Sequence, residues 1–310
     1  MLSSAPGAGS VVNDHEYSSG RYALMLKNSF AGWLRSTSGG EASADVVSEK
    51  TGPDDFNKKH LTGVKYQDIT VKCGSKMSSQ LYQWITDFCE RKIDRMDGAV
   101  MNTDMDHKVV SQKAFTNALI SEVDFPAVDA ASKDACDISI KFQPEMLKET
   151  MPSSSQPIVG AVDQSGGPKW TPQNFRLNID GLDCSKINKV DAIAIKQMIA
   201  NNAATNSHDY QQDPSMLRMP NIIVTLPEAS ANSFNDWHQQ FVMNGNNTSG
   251  LEKSGTLAYL ATDGKELFDL HFEHLGVFKI TSDKLGDGTK VLKVEMYVQN
   301  IKFVPRNVGF

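Results

Sequence analysis

The densest group of side chains able to bind a metal or move a proton lies in LHFEHLG, where His271, Glu273 and His274 stand close together. His238, on a nearby amphipathic stretch, could approach them. Imidazoles and carboxylates are the ligands of zinc and iron sites. A spacing of three suits a helix, but the alternation Phe268, Leu270, Phe272 gives this segment a strand period. On a strand, residues three apart point to opposite faces of the sheet, so the two histidines cannot meet one ion unless another element joins them. Asp104, Asp106 and His107, and likewise Asp180 and Asp183 around Gly181, have the composition of turns. Cys73, Cys89, Cys136 and Cys184 form no C-x-x-C pair and have no histidine at zinc spacing, so they read as small core residues of a reducing compartment. No nucleophile elbow, Walker loop, H-E-x-x-H helix or dinucleotide fingerprint occurs. Asn246-Asn247-Thr248 is only a formal glycosylation acceptor. The expectation is a chain with no catalytic, cofactor-binding or metal residue, no cofactor, and no enzymatic activity.

The rest of the sequence must then carry the function. Its 310 residues exceed the usual span of one domain, and 40% hydrophobic with 22% charged residues is the composition of a globular protein. A formal charge of -6 without a Lys/Arg cluster argues against a surface that coats nucleic acid, and no direct sequence-specific nucleic-acid binding is expected. The first residues, MLSSAPGAGSVVNDHEYSSG, hold neither a basic nor an apolar stretch of a signal peptide, and no apolar run is long enough for a membrane span.

A long internal repeat organises the chain. Shifted by 153, Tyr22 falls on Phe175, Ile69 on Ile222, Val71 on Val224, Leu81 on Phe234, Trp84 on Trp237, Phe88 on Phe241, Phe115 on Phe268 and Phe125 on Phe278. Shifted by 154, Ile138, Ile140 and Phe142 fall on Leu292, Val294 and Met296. One long unit used twice predicts two similar domains in tandem. Each opens on extended runs, passes a long polar loop (51–65 or 199–218), and reaches a β-rich strand, YQDITVKCG or PNIIVTLPE. The period then changes from two to 3.6: Leu81, Trp84, Ile85 and Phe88 follow capping serines Ser78 and Ser79, and Phe234, Trp237 and Phe241 repeat that stripe. These tryptophans read as core, not as stacking platforms. Turn-rich strands follow, with Asp263-Gly264 as a hairpin signal, and each unit closes on an alternating strand, DISIKFQP or VLKVEMYVQNIKF. Residues 147–174, with four of the twelve prolines plus Ser and Gly, have linker composition.

The fold expected is mainly β (α+β): two tandem antiparallel β-barrel or sandwich domains, each with one amphipathic α-helix. The domains are a flexible N-terminal segment 1–20, domain 1 at 21–146, the linker 147–174 and domain 2 at 175–310. The closing strands lack strong blunting charges, which suits either an edge made to be paired or an interior strand.

Tyr66, Ile69, Thr70, Val71, Lys72 and Gly74, followed by Leu81, Trp84 and Ile85, resemble the "Y-x-x-I-T-V-K-x-G" strand and "L-x-x-W-I" helix of the tail-tube family of contractile phages and injection systems. KKHLTGVKYQDITVKCG and the tract from Ala118 to Pro144 extend the likeness, while the second unit keeps the apolar skeleton and the Trp helix. Proteins of this kind are similar to the type VI secretion tube protein, a barrel flanked by a helix that stacks as hexameric rings. Family members usually carry one such domain, and this chain carries two. The resemblance implies a structural protein that self-assembles into six-fold or pseudo-six-fold stacked rings, either as a trimer of tandem domains or as a hexamer. It also implies sheath and baseplate proteins as partners, the long loops reaching along the axis to the next ring, and synthesis in the cytoplasm before incorporation into a phage-tail-like particle. A baseplate or hub adaptor, and a two-barrel ligand-binding or metal-dependent hydrolytic protein, are the competing expectations.

Overall fold

The computed structural model of the chain describes residues 21–50, 57–151, 157–158, 160–161, 170–203, 210–284 and 288–306. In the first unit, Tyr22–Leu26 (β1) reverses into Ser29–Gly39 (β2) through Lys27 and Asn28, both at positive φ, the twist that a tight hairpin needs. Strand β1 is buried on both faces, which explains its unbroken apolar run YALML: Leu24 and Leu26 face the main core, while Ala23 and Met25 lie under Ile158 of the connecting segment. Ala42–Lys50 (β3) and Asn57–Tyr66 (β4) pair with one another, and Ile69–Cys73 (β5) leads to helix Ser79–Cys89 (α1). Ser78 caps α1, its hydroxyl accepting from the Leu81 amide at 3.3 Å. Leu81, Trp84, Ile85 and Phe88 are buried as one stripe, and the Trp84 indole donates to the Asp94 carbonyl at 3.0 Å. Met96–Thr103 (β6), Val109–Phe125 (β7), Val128–Asp129 (β8), Ile138–Gln143 (β9) and Met146–Thr150 (β10) complete the unit.

Pairing runs β1-β2-β5-β9-β7-β6 and returns to β1, so these six strands close into a barrel. Barrel closure leaves none of the six with a fully open edge.

The second unit repeats the order: Phe175–Ile179 (β11), Lys189–Val190 (β12), Ile193–Ala203 (β13), Tyr210–Arg218 (β14), Ile222–Pro227 (β15), helix Asn232–His238 (α2), Lys253–Leu260 (β16), Glu266–Lys284 (β17), Lys290–Tyr297 (β18) and Asn300–Pro305 (β19). Its pairing runs β11-β16-β17-β18-β15-β12 but does not join β11 to β12, so this sheet stays open where the first closes. Strand β12 pairs instead with β8 of the first unit.

The registers refine the repeat. The shift of 153 holds from β1 to α1, and 154 holds for the closing strands. Between them, however, Gly98 opposite Phe115 corresponds to Gly255 opposite Phe272, a shift of 157. Asn117 and His274, which this shift equates, share the left-handed conformation, with φ 52° and 59°. Phe115 therefore matches Phe272 and not Phe268, and Phe125 does not match Phe278, which sits in a bulge of β17 and is 39% exposed. The extra residues lie after α2, in the π turn Gln239–Met243 and the turn Ser249–Leu251.

The polar stretches read as loops are largely strands. Asn57–Tyr66 pairs with β3, and residues 199–203 and 210–218 belong to the hairpin β13–β14. Residues 51–56 and 204–209 lie outside the described residues, as does the N-terminal segment 1–20. At the start of the linker-like segment, Met146–Thr150 pairs with β7, and Trp170 near its end is buried. One apolar core runs through both units.

Candidate assembly interface

The two units are joined by strand addition. Hairpin β13–β14 lies on β7 of the first barrel in antiparallel register, Ile193 opposite Phe125 and Lys196 opposite Glu122. The same register continues to β12 on β8, Val190 opposite Val128. Backbone hydrogen bonds supply the joint, and alternate side chains give it direction. Val123, Phe125, Ile193 and Ile195 are fully buried there, at about 1.5–3 kcal/mol for each such side chain. On the solvent side, Lys196 pairs with Glu122 at 2.8 Å.

Aromatic rings fill the seam. Phe125 of the first unit lies 5.9 Å from Phe268 and 5.5 Å from Phe303 of the second, and Tyr82 of α1 stacks on Phe303 at 5.8 Å. The hydroxyl of Tyr259, a buried residue of the second unit, donates to the Pro126 carbonyl at 3.0 Å. Trp170 packs edge-on against Tyr259 and Phe268.

A polar clamp fixes the far strand. The Arg95 guanidinium donates to the Glu145 carboxylate and to the Gln212 carbonyl of β14. The Gln212 amide donates back to Glu145 at 3.2 Å, its side-chain amide donates to the Pro144 carbonyl at 2.9 Å, and Asn117 supports Glu145 at 2.9 Å. Gln212 is 3% exposed; its backbone and its side-chain Nε2 are bonded in this clamp, while its Oε1 is buried without a partner.

The residues that first suggested chemistry are held apart. His274 Nδ1 lies 2.8 Å from Glu252, His271 Nε2 lies 3.8 Å from Asp269, and Glu273 accepts from Asn300 at 2.8 Å. His238 ends α2. Among the described residues, no group of three or more His, Cys, Asp and Glu is placed to hold a metal ion. Asp104 Oδ1 accepts from the amides of Asp106 and Lys108, and Asp183 from that of Ser185, as turn residues do. Burial pushes the Cys73 and Cys89 thiols up to about 12 and Cys136 to about 11, with no disulfide among them. Glu252 behaves differently: burial raises its carboxyl, but hydrogen bonds from Tyr297, His274 and Gln299 outweigh that and hold it below the usual range. Among the described residues, no helix is long and apolar enough to cross a membrane.

Sequence reasoning missed this joint because β13 and β14 are polar ribbons with no apolar stripe to mark them. The one available signal was IAI at 193–195, whose alternation marks the residues that bury against β7.

No curated protein matches the chain. Among solved structures, the chain is similar to a subunit of an extracellular contractile injection system sheath–tube complex in its extended state, at 16% identity and TM-score 0.40, over 48% of this chain and 100% of that one. It is similar to a chain of the anti-feeding prophage baseplate at 12% identity and TM-score 0.38, over 49% of this chain and 100% of that one. A chain of the anti-feeding prophage cap, which terminates the tube, matches at 17% identity and TM-score 0.38, over 49% and 95%. Residues 21–148 match the family model of the T4-like virus tail tube protein gp19. That match spans the closed barrel β1-β2-β5-β9-β7-β6 with its Trp84 helix, and so covers the first of the two units.

Proposed function

We propose that the chain is a non-enzymatic structural protein that self-assembles into six-fold or pseudo-six-fold stacked rings of a phage-tail-like contractile particle, with sheath and baseplate proteins as further partners. The reading takes 21–146 and 175–310 as two tube-like units joined through 147–174. The observation that carries it is the strand addition of β13 to β7, by which one unit already extends the barrel sheet of another. The tail tube match over 21–148 supports the same reading. A contact between different patches on two similar units is heterologous, and repeated heterologous contacts build a ring or a filament. A trimer of such chains places six units in one ring.

Electron microscopy of the purified chain, with sedimentation across a wide concentration range, tests this. Rings or tubes of six-fold appearance are expected. A monomer at every concentration would overturn the reading.

A further inference from the structure

The joint between the units has an uncovered counterpart at the two ends of the chain. Under the 153 shift, hairpin β13–β14 falls on β3–β4, and the correspondence reaches detail: the bulge between Gln197 and Ile199 falls on that between Ala44 and Val46. Under the 157 shift, Glu122–Phe125 of β7, which receive β13, fall on Lys279–Ser282 of β17. That stretch pairs with β18 along one edge, and among the described residues no strand pairs with the other. Ribbon β3–β4 likewise pairs only with itself among the described residues. Within one chain, therefore, the first unit's hairpin and the second unit's open edge are not paired with each other.

Three features show what each open surface would accept. Leu217, buried against the first unit, corresponds to Val64, which is 44% exposed beside Leu61 at 70% and Val46 at 59%. The second unit in turn exposes Phe278 in the bulge before the acceptor edge, and Met243 after α2. The polar clamp recurs with its charge inverted: Arg95 falls on Glu252, Glu145 on Gln299 and Asn117 on His274, and these again bond to one another. Gln212, the residue that the clamp grips, falls on Lys59, so a cation replaces an amide where a carboxylate replaces a guanidinium. Finally, a groove of about 280 Å³ runs along Thr37–Gly39 in the first barrel, lined also by Asn102 and Lys113. Its Asn102 Oδ1 is buried without a partner. Asn102 stands where Tyr259 stands in the second unit, and the carbonyl that Tyr259 bonds belongs to Pro126, the counterpart of Asp283.

We propose that β3 of one chain adds to the open edge of β17 in a second copy of this chain, residues 40–43 along Lys279–Ser282 with Ala42 opposite Ile280, while Lys59 seats on Glu252 of that copy. The inference rests on the self-assembly reading and names the joint that reading requires. Beside this joint, Asp283 of the second copy comes up to Lys113 and Asn102, opposite in charge to the lysine.

Two experiments test it in the full chain. In a Cys184→Ser background, Ala42→Cys and Ile280→Cys variants are mixed and oxidised; a band of twice the chain mass is expected, and the double variant should give a ladder. Pairing Ala42→Cys with Lys284→Cys, four residues out of register, should give at least tenfold less product. Separately, Lys59→Glu, on an exposed ribbon, should cut the assembled fraction at least tenfold, and adding Glu252→Lys should restore it in part. Particles that form normally with Lys59→Glu, and that yield no register-specific cross-link, would overturn this joint and leave the assembly reading standing. Monomer throughout would overturn both.

Discussion

At the residue scale, the side chains with reactive potential are turned to structural use. Cys73 and Cys89 are buried thiols pushed to about 12, whereas Cys184 is half-buried and only raised. The thiolate is the nucleophile, so alkylation of the native protein near pH 8 should modify Cys184 first and leave Cys73 and Cys89 to react only on unfolding. Mass spectrometry of a labelling time course reads this order directly. Arg95 is the polar keystone of the joint. Arg95→Ala removes the donor to Gln212 and leaves the Glu145 carboxylate short of its cation, a loss of about 1–3 kcal/mol. The shift of the urea midpoint measures it, and a Lys92→Ala control, whose Lys92 amine is exposed, should leave the midpoint close to that of the wild type.

At the scale of elements, what the sequence showed depended on whether a pattern had one dry face. Helix α1 was legible because Leu81, Trp84, Ile85 and Phe88 bury as one stripe behind a serine cap. The closing strands were legible because Ile138, Ile140 and Phe142 alternate into the core. Ribbon β3–β4 was not, because a two-stranded arm wetted on both sides imposes no alternation, and β13–β14 shows one only in the short stretch Ile193–Ile195 that buries against β7. The repeat was found, but with β6 and β7 out of register by four residues. A strand has period two, so a slip of four keeps every apolar residue on its face and the pattern cannot reveal it. Only the opposed pairs Gly98–Phe115 and Gly255–Phe272 do so. These pairs matter to the sheet itself. A Cβ on Gly98 would lie 2.3 Å from the Met25 carbonyl and 2.6 Å from the Phe115 ring, so Gly98→Ala must push β1 or Phe115 aside. The expected cost is about 1–3 kcal/mol, seen as a lower melting temperature with the fold retained.

At the scale of the whole molecule, His271, Glu273 and His274 each face a different neighbour, Asp269, Asn300 and Glu252, and the surfaces between units emerge as the feature with chemistry to explain. None of that was visible in composition. The joint depends on which polar strands meet which edges, a long-range property that local periodicity does not encode. The common backbone through the two units has a kinetic meaning as well. Joining two binding surfaces in one chain gives their contact an effective concentration of order millimolar, far above that of a dilute protein. The β13–β7 contact therefore stays shut on dilution. Under the assembly proposed above, only the Lys59-bearing joint forms by collision, so sedimentation across a dilution series should show that Lys59→Glu raises the critical concentration while the β13–β7 contact within each chain stays closed.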